Sequence, residues 1–575
     1  MRPANHIATP HGICPRTPSP ERALPACLRA WRCGTAGLLL LASLAMHAQD
    51  SLLLRDYSFV KDADAWLTSR NAAALTRFAS HSIANAQISL TRAKGGFTDF
   101  SDSPDAITAN AEVESFYRIS SRAVGYGLMS YENFSGKEMG GSAFIDTSRL
   151  PFDLEEDSLT NLGRKHRDTY HLTGGVGIDV WRGLSVGARL DYTSANYAKY
   201  KDLRHKNKLM DMTLTTGVFW PVAGVAEVGA FYYYRRTTES LKFNLYGRED
   251  KTYVTFINYG PFIGETEQFA NSGFTDKLRE LPMVNNHNGI GLQLGLHLGR
   301  SLTLTNEATL AYREGYYGRR SEYTNSYSFH RSHTYDYHGR LAYRAKASLH
   351  HIDVSIGAEN LVNHFESFRE KRNESGASYY EYYDPVKTAN KLWVEGRVAY
   401  TAYLGIRGEL PTWVLTASCQ WMHRKQTAYD YPYYRRQRLD NQEWGLSATR
   451  HLLLRKGILS LSLSGTFLNG SGDPFEDLTF VAPSDKQHPS PTMDTWLYRE
   501  HQWLTAPQYT AGASARYAFR FPATRLATYV GASVRHHKVN APNAYSNGRD
   551  HTQATLFLGC KFEVQGVQEF RSSGV

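Results

Sequence analysis

Apolar and polar residues alternate over nine or more positions in many segments of the chain. In residues 184–192 the two alternating sets are Leu184, Val186, Ala188, Leu190 and Tyr192 against Ser185, Gly187, Arg189 and Asp191. Similar rows recur at 290–298, 459–467, 526–534 and 554–562. A period of two predicts β-strands with one apolar face. Strands this long exceed the about 5 to 6 residues usual in soluble proteins and match the roughly 9 to 11 that cross a membrane at a tilt.

The connections between the predicted strands alternate between short and long. Those at 120–121 and 181–182 are short, whereas those at 133–165 and 237–285 are long. Outer-membrane barrels have short periplasmic turns and long extracellular loops. The sequence therefore predicts an all-β fold, a transmembrane antiparallel β-barrel of about 18 strands (16 to 20), over residues 86–563. An even strand count places both termini in the periplasm.

A β-propeller and a set of β-sandwiches are the competing folds. A propeller would repeat a motif about every 40 to 50 residues, and the chain shows no such repeat. Sandwiches give no reason for aromatic residues to stand at the ends of apolar rows, as Trp181, Trp220, Tyr312, Tyr400 and Trp413 do. This placement is typical of the aromatic girdles at membrane interfaces, and it favours the barrel.

The composition is compatible with a barrel and excludes a helical membrane protein. The chain has 575 residues and a mean hydropathy of -0.46. Past residue 48 no apolar run approaches the ~20 residues of a membrane-spanning helix. A barrel has a polar average because its lipid-facing and lumen-facing residues alternate. The formal net charge of +10 is mild and scattered, so we expect no nucleic acid partner.

The two ends of the chain differ in composition from the predicted barrel. An apolar stretch at 34–48, preceded by arginines, predicts a signal peptide over residues 1–48. Residues 49–85 contain many helix formers, so we expect a short N-terminal helical segment that lies in the lumen or forms a periplasmic docking arm. Residues 564–575 are expected to form a periplasmic tail.

If the apolar rows face lipid, the opposite rows line the lumen and carry charges of both signs. The basic candidates are Arg189, Arg340, Arg344, Lys346, Arg397 and Arg535, and the acidic candidates are Asp191, Glu227, Asp353 and Glu395. One interpretation is a set of ion pairs that stiffens the wall. The other is a selective pore, in which Arg340, Arg344 and Lys346 on one strand favour anionic solutes.

Two predicted external loops are rich in tyrosine. Their candidate binding residues are Tyr379, Tyr380, Tyr382 and Tyr383 in the first loop and Tyr431, Tyr433 and Tyr434 in the second. Tyrosine combines a flat apolar face with a hydroxyl group, which suits a glycan, an aromatic chelate or a partner protein. Packing of the loops over the mouth of the barrel would explain the same residues without a ligand.

Motifs for catalysis and cofactor binding are missing from the sequence. It contains no phosphate loop, dinucleotide fingerprint or paired-cysteine zinc spacing. Residues 183–187 match the letters of a nucleophile elbow, but they open an alternating strand and not a strand-turn-helix. Ser185 and His171 are predicted to point inward on neighbouring strands, as ordinary pore-lining residues also do. We expect no enzymatic activity, no metal and no cofactor.

Two stretches carry a family resemblance. Residues 69–75, Ser-Arg-Asn-Ala-Ala-Ala-Leu, look like the Asn-Pro-Ala-type N-terminal segment of fatty-acid-transporter-like outer-membrane barrels, without its proline. The mature chain as a whole, including 141–154, more closely resembles an uncharacterised family of Bacteroidota outer-membrane barrels. That resemblance implies location and architecture and assigns no functional residue, because the activity of the family is unknown.

Together these features predict an outer-membrane channel or transporter for small solutes. The alternative is a surface receptor, or the barrel subunit of an uptake or secretion complex, that binds its partner through the tyrosine-rich loops. The expected partners are outer-membrane lipid, a small solute, and a surface or periplasmic protein.

Overall fold

The computed structural model describes residues 53–156, 161–222, 224–247, 251–321, 324–521, 526–541 and 545–562. The predicted signal peptide, 1–48, and the predicted tail, 564–575, lie outside these ranges.

Nineteen strands form the main sheet. The short strand Glu476–Thr479 pairs only with an extension of β14, and the other eighteen strands form the barrel. Their bounds are β1 Ile83–Lys94, β2 Asp105–Arg118, β3 Ala123–Met139, β4 Gly163–Trp181, β5 Leu184–Lys199, β6 Arg204–Val222, β7 Ala226–Asn244, β8 Leu281–Leu298, β9 Leu302–Ser321, β10 Thr324–Arg344, β11 Ser348–Phe365, β12 Val386–Leu404, β13 Trp413–Asp430, β14 Tyr433–Leu454, β15 Gly457–Ser471, β16 Gln508–Arg520, β17 Leu526–Val539 and β18 Asp550–Phe562.

The sheet closes on itself because β1 pairs with both β2 and β18. Leu90 of β1 lies opposite Ala109 of β2 on one side and opposite Leu556 of β18 on the other. All these pairings are antiparallel. Closure leaves no strand edge whose backbone donors and acceptors would face lipid. The predicted eighteen-stranded antiparallel barrel is confirmed.

The two faces of the barrel wall differ as the alternation predicts. On β8, Ile290, Leu292 and Leu294 are exposed on the outer face, at 56%, 65% and 41%. Gln293, which lies between the two leucines, is 4% exposed and faces inward. The outer rows are apolar and suit lipid contact, whereas the inner rows carry the polar groups that form the candidate site.

The two ends of the barrel also differ. Tight connections lie at one end, which we call the turn end, and most long connections lie at the other, the loop end. At the turn end Arg182 and Gly183 join β4 to β5 with φ angles of 47° and 84°. Positive φ at both central residues defines the type I′ turn, whose twist matches that of a two-stranded hairpin.

Among the residues that the structure describes, helices are few and short. They are α1 Tyr57–Asp62, α2 Asp494–Thr505 and two 3-10 helices, Ala65–Thr68 and Ala72–Arg77. In the described part of the chain, no helix has the length and apolar character needed to cross a membrane.

The second tyrosine-rich segment belongs to barrel strands, so its prediction as a long loop was wrong, whereas the first lies in the long connection 366–385 between β11 and β12. β13 continues to Asp430 and β14 begins at Tyr433, which leaves only Tyr431 and Pro432 to turn the chain. The first segment also forms a hairpin, in which 378–382 pairs with 368–372. Backbone hydrogen bonds between strands do not require apolar side chains. Strands with polar side chains can therefore continue beyond the apolar rows that face the membrane.

Candidate functional site

The chain before β1 lies inside the barrel at the turn end, and we call residues 53–82 the plug. Three short helical turns make up most of it, and each has an acid or amide at its N-cap. The side chains of Asp56, Asp64 and Asn71 accept hydrogen bonds from the backbone N–H groups of Phe59, Trp66 and Ala73. Asp and Asn at these positions satisfy donors that a helix start leaves unpaired.

On one side the plug contacts three adjacent strands through polar groups. Trp66 Nε1 donates to Glu227 Oε2 of β7 at 2.6 Å. Asn71 Nδ2 donates to Gln293 Oε1 of β8 at 2.7 Å. Ser69 Oγ donates to Glu307 Oε2 of β9 at 2.7 Å, and Gln293 Nε2 donates to that same carboxylate at 2.8 Å. Plug and wall are therefore joined by a network of Ser69, Asn71, Gln293 and Glu307 and by a separate buried bond between Trp66 and Glu227.

On the other side the plug reaches β2 and β16 by ion pairs. Lys61 Nζ lies 2.7 Å from Glu114 Oε1, and Arg516 Nη2 lies 2.8 Å from Asp56 Oδ2. Burial alone would raise the pKa of Asp56, but the charges of Arg516 and Lys561 hold it below its ordinary value. The plug thus contacts opposite sides of the wall and crosses the lumen.

A three-residue contact, which we call the clasp, ties the two ends of the plug together. Arg55 Nε donates to Glu409 Oε2 at 2.5 Å, and Arg55 Nη2 donates to Ser80 Oγ at 2.8 Å. Ser80 also donates to Glu409. Because Glu409 lies in the connection between β12 and β13, the clasp fixes both ends of the plug at the turn end.

The wall has glycines, which carry no side chain, at the positions where the plug passes closest to it. Gly187 of β5 lies opposite Gly177 of β4 and Gly217 of β6, so three glycines form a row across the sheet. A Cβ atom at Gly187 would overlap the backbone of Ala72 and Ala73. Glycine is required here because the backbones of plug and wall are in direct contact. The row was visible in the sequence as glycines on predicted inward positions, but its purpose was not.

At the loop end, inward-folded connections form a second structure, which we call the cap: residues 140–156, residues 251–276 and α2. Its centre is a three-stranded antiparallel sheet of Asp153–Glu156, Val254–Asn258 and Gly264–Gln268. Phe144, Phe152 and Leu154 form its buried apolar core together with residues such as Tyr317 of β9. The stretch 141–154, which carried the family resemblance, therefore supplies the core of the cap.

The cap is held to several strands of the wall. The backbone N–H of Ile145 donates to Glu239 Oε1 of β7 at 2.8 Å. Arg149 Nη2 donates to Glu395 Oε1 of β12 at 2.9 Å. Arg313 Nη1 of β9 donates to the Arg149 carbonyl at 3.1 Å. These contacts place residues 145–149 across the mouth of the barrel, opposite the plug.

A carboxyl group next to the cap, that of Asp99 in the connection between β1 and β2, has a pKa raised toward neutral pH. Burial, with the neighbouring charges of Glu500 and Asp102, raises the pKa of Asp99 to about 7. Phe100, the next residue, packs against Trp496 of α2. Ionisation of Asp99 therefore places a charge beside the contact between α2 and the rest of the cap.

We expect the cap to loosen as the pH rises toward 7. The folded-state pKa of Asp99 lies above the ordinary value, so the cap is most stable at low pH and becomes less stable as Asp99 ionises. Between pH 5.5 and 7, hydrogen-exchange protection of α2 should fall by up to about tenfold per pH unit, and above pH 7 it should level off, because Asp99 is then ionised in both the closed and the opened state. In Asp99→Asn the fall should be smaller than in the wild type, and what remains is expected from Asp153 of the cap, whose pKa burial raises to about 6. An equal fall in that variant would contradict this assignment.

Two cavities lie in the lumen beside the plug. The larger has a volume of about 660 Å³ and is lined by Trp66, Ser69 and Arg70 of the plug and by wall residues that include His338, Arg340 and Arg397. The smaller, of about 360 Å³, is lined by Arg70 and by wall residues that include Arg189, Asp191, Arg235, Asp336 and Glu359. Arg70 of the plug lines both cavities.

Most of the predicted lumen charges are paired. Arg189 forms two-point contacts with Asp191 at 2.8 to 3.1 Å and also donates to the Ser69 carbonyl of the plug at 3.3 Å. Glu227 accepts the Trp66 hydrogen bond and lies 2.8 Å from Arg77. Ion pairing that stiffens the wall is therefore only part of the role of these charged residues, because several of them, such as Arg189 and Glu227, also bind the plug.

Arg340, Arg344 and Lys346 do not form the predicted basic row. Arg340 Nε donates to Asp353 Oδ1 at 2.5 Å, and Arg340 Nη1 donates to the Asp62 carbonyl at 2.8 Å. Arg344 Nη2 lies 3.5 Å from the Ala63 carbonyl. Lys346 lies in the turn between β10 and β11, outside the wall. The alternation predicted this strand, but it could not show that Arg340 and Arg344 contact the plug.

The remaining lumen candidates lie apart from the plug network. Glu395 binds Arg149 of the cap, as described above. Arg397 of β12 lines the larger cavity and is exposed to it. Arg535 of β17 faces Gly512 of β16 and lines neither cavity.

The predicted tyrosine candidates divide between packing and exposure. Tyr433 donates from its hydroxyl to the Gln487 carbonyl at 3.0 Å, and Tyr434 packs on Phe480 with ring centroids 4.6 Å apart. Tyr431 is 64% exposed. In the other hairpin, Tyr380 packs on Phe368, whereas Tyr379, Tyr382 and Tyr383 are exposed.

The structure does not assemble the serine and histidine that were weighed as a catalytic pair. Ser185 Oγ lies 2.9 Å from Thr76 Oγ1 of the plug. His171 Nε2 lies 3.2 Å from Thr173 Oγ1, and the residue opposite His171 on β5 is Thr193. Within the described ranges, no group of three or more His, Cys, Asp or Glu residues could hold a metal ion.

The fold and the site define a class: a closed eighteen-stranded barrel of the outer-membrane type with a plug at one end and a cap at the other. By sequence, the chain belongs to a family of unknown function, DUF6850, which matches residues 72–562. That match begins at Ala72, inside the plug, and ends at Phe562, the last residue of β18.

Solved outer-membrane barrels are similar in fold. The ferric preacinetobactin receptor BauA of Acinetobacter baumannii is 10% identical with a TM-score of 0.38, over 84% of this chain and 80% of that one. The transporter YddB of Escherichia coli is 8% identical with a TM-score of 0.37, over 84% and 80%. TodX, a monoaromatic hydrocarbon channel, is 8% identical with a TM-score of 0.30, over 86% and 93%. Comparison with curated protein sequences gives no match.

Proposed function

We propose that this protein is an outer-membrane transporter for small polar solutes whose lumen is closed at rest by the plug and the cap. The observation that carries the proposal is the set of hydrogen bonds of Trp66, Ser69 and Asn71 with Glu227, Gln293 and Glu307, which seats a segment of chain across the lumen. An eighteen-stranded barrel is wide enough for an aqueous channel once such a segment moves.

The contacts of the plug suit a segment that moves. Water can replace each hydrogen bond to Glu227, Gln293 and Glu307, so release of the plug leaves no charged wall group without a partner. The cavities beside the plug are lined largely by charged and polar side chains, which favours polar solutes over hydrocarbons. In this proposal the turn end faces the periplasm, as the short turns of such barrels do, and the cap faces outward.

A reversible disulfide between plug and wall tests the transport function. The hydroxyl oxygens of Thr76 and Ser185 are 2.9 Å apart, so Thr76→Cys with Ser185→Cys brings two sulfur atoms within reach of a bond. In planar bilayers with urea to loosen the plug, the reduced protein should conduct at least about tenfold more than the oxidised one. The single variant Ser185→Cys is the control. Failure of the reduced protein to conduct would exclude a transport function.

A second function, capture of a partner at the cell surface, is favoured by one observation at the loop end. Phe480 is 55% exposed although it lies among the rings of Tyr429, Tyr431 and Tyr434. Exposed clusters of aromatic rings are typical of interaction sites. We propose that this cluster, together with the exposed Tyr379, Tyr382 and Tyr383, binds a surface protein.

The partner hypothesis has its own test. Tyr431→Ser with Phe480→Ser removes the two exposed rings and leaves the β13–β14 pairing intact. We expect proteins that co-purify with the wild-type barrel from outer membranes to be lost from this variant, while solute transport stays unchanged. The control is Tyr246→Ser, an exposed tyrosine outside the cluster. An unchanged set of co-purified proteins would contradict the hypothesis.

Two finer points rest on the sequence. We propose that the family occurs in outer membranes of Bacteroidota, from the resemblance carried by residues 141–154. We also propose that the protein is not an enzyme, because Ser185 binds the plug and His171 lies elsewhere on the wall.

A further inference from the structure

We propose that the larger lumenal cavity binds a small organic anion between Arg397 of the wall and Arg70 of the plug. This inference rests on the proposed function and names the chemical class of its solute. It follows from an inventory of the charges that face the cavity.

The acidic groups of the larger cavity are already occupied. Asp353 accepts from Arg340 at 2.5 Å, and Asp62 accepts from the Tyr403 hydroxyl at 3.2 Å. The third acid, Glu307, accepts from both Ser69 and Gln293. Asp353 and Arg340 pair with each other, whereas the oxygens of Asp62 and Glu307 are engaged by neutral hydrogen-bond donors and both carboxylates keep their charge.

Two guanidinium groups have no such partner. Arg70 and Arg397 line the cavity, are exposed to it, and form no ion pair with any carboxylate among the described residues. Arg70 lies over the ring of Tyr233, 5.2 Å from the ring centroid. A guanidinium has a planar set of five donors that matches a carboxylate or a phosphate, and Arg70 uses only part of this set in its hydrogen bond to the Tyr233 side chain. The cavity therefore offers two unpaired cations to one anionic solute.

The position of Arg70 links binding to the plug. It lines the smaller cavity as well, where Arg189 and Arg235 are paired with Asp191 and Asp211. Asp336 also faces that smaller cavity, so an anion is held more favourably in the larger one. An anion bound by Arg397 and Arg70 contacts the wall and the plug together, which is the arrangement that lets a solute bias the position of the plug.

Calorimetry on the full mature chain in detergent tests the inference without any need for transport. The probes are citrate and inorganic phosphate, with glucose as an uncharged probe. We expect citrate to bind and glucose not to bind, and we expect Arg397→Gln and Arg70→Gln each to weaken citrate binding at least about tenfold, the value of one lost charged hydrogen-bond contact. Arg535→Gln is the matched control, because this inward arginine lines neither cavity.

The possible results separate this inference from the proposed function. Equal citrate binding by Arg397→Gln and wild type, or equal binding of citrate and glucose, overturns the anion site and leaves the transport function standing. A non-conducting disulfide variant under reducing conditions overturns transport while citrate binding can still be measured. Since Arg70→Gln alters the plug, heat-modifiable gel migration checks that its barrel is intact, and Arg397→Gln, which leaves the plug unchanged, carries the test by itself.

Discussion

Deletion of residues 53–78 should convert the closed barrel into a pore that conducts whenever the cap opens. The deletion removes the clasp residue Arg55 and every plug contact to Glu227, Gln293 and Glu307. It leaves the pairing of β1 with β2 and β18 untouched, because β1 begins at Ile83. We expect single-channel conductance in planar bilayers at least about tenfold above that of the intact chain, since an open eighteen-stranded barrel contains an aqueous channel.

The deleted segment also provides a control. A synthetic peptide of residues 53–78, added at the turn end, should reduce the current of the deletion variant, whereas the same peptide with Asn71→Ala and Trp66→Ala should not. Those two substitutions remove the hydrogen bonds to Gln293 and Glu227. A deletion variant that migrates as a folded barrel and yet conducts no better than wild type would show that the cap alone closes the lumen, and the role assigned to the plug would be wrong.

The barrel could be predicted from the sequence because its main determinant is local. Alternation places Ile290, Leu292 and Leu294 on one face whatever the rest of the chain does, and a strand cannot turn these residues inward without exposing Gln293 to lipid. Register and closure then follow from short turns such as Arg182–Gly183. The same alternation predicts Arg189, Asp191 and Arg397 on the inner wall, and each of them lines one of the two lumenal cavities.

The sequence predicted a helical segment before β1, in the lumen or as a docking arm, but the contacts that seat the plug and the existence of the cap could not be predicted, because they depend on residues far apart in the chain. Asn71 bonds to Gln293, and Arg340 to the Asp62 carbonyl, and neither pair leaves a periodic signal. The second tyrosine segment was misjudged as a loop for a related reason. A sequence shows where apolar rows end, but the backbone pairing that carries β13 and β14 onward is independent of side-chain polarity.

The glycine row gives the sharpest test of how the plug is seated. We expect Gly187→Leu to displace the plug and leave the barrel folded. A side chain at this position overlaps the backbone of Ala72 and Ala73, whereas leucine is compatible with the strand itself. Overpacking of this kind costs about 1 to 3 kcal/mol, which corresponds to an increase of about 5- to 150-fold in the population with the plug released.

Trypsin added at the turn end measures that population, because it cleaves after Arg70 and Arg77 only when the plug has left its seat. The matched control is Gly174→Leu on the neighbouring strand, where an added Cβ meets no atom within 4 Å. Cleavage should accelerate in Gly187→Leu and remain at the wild-type rate in Gly174→Leu. Equal cleavage rates in the two variants would mean that the wall around Gly187 shifts to accommodate the leucine side chain while the plug stays in place. In that case the glycine row would serve the packing of the barrel and would have no part in gating.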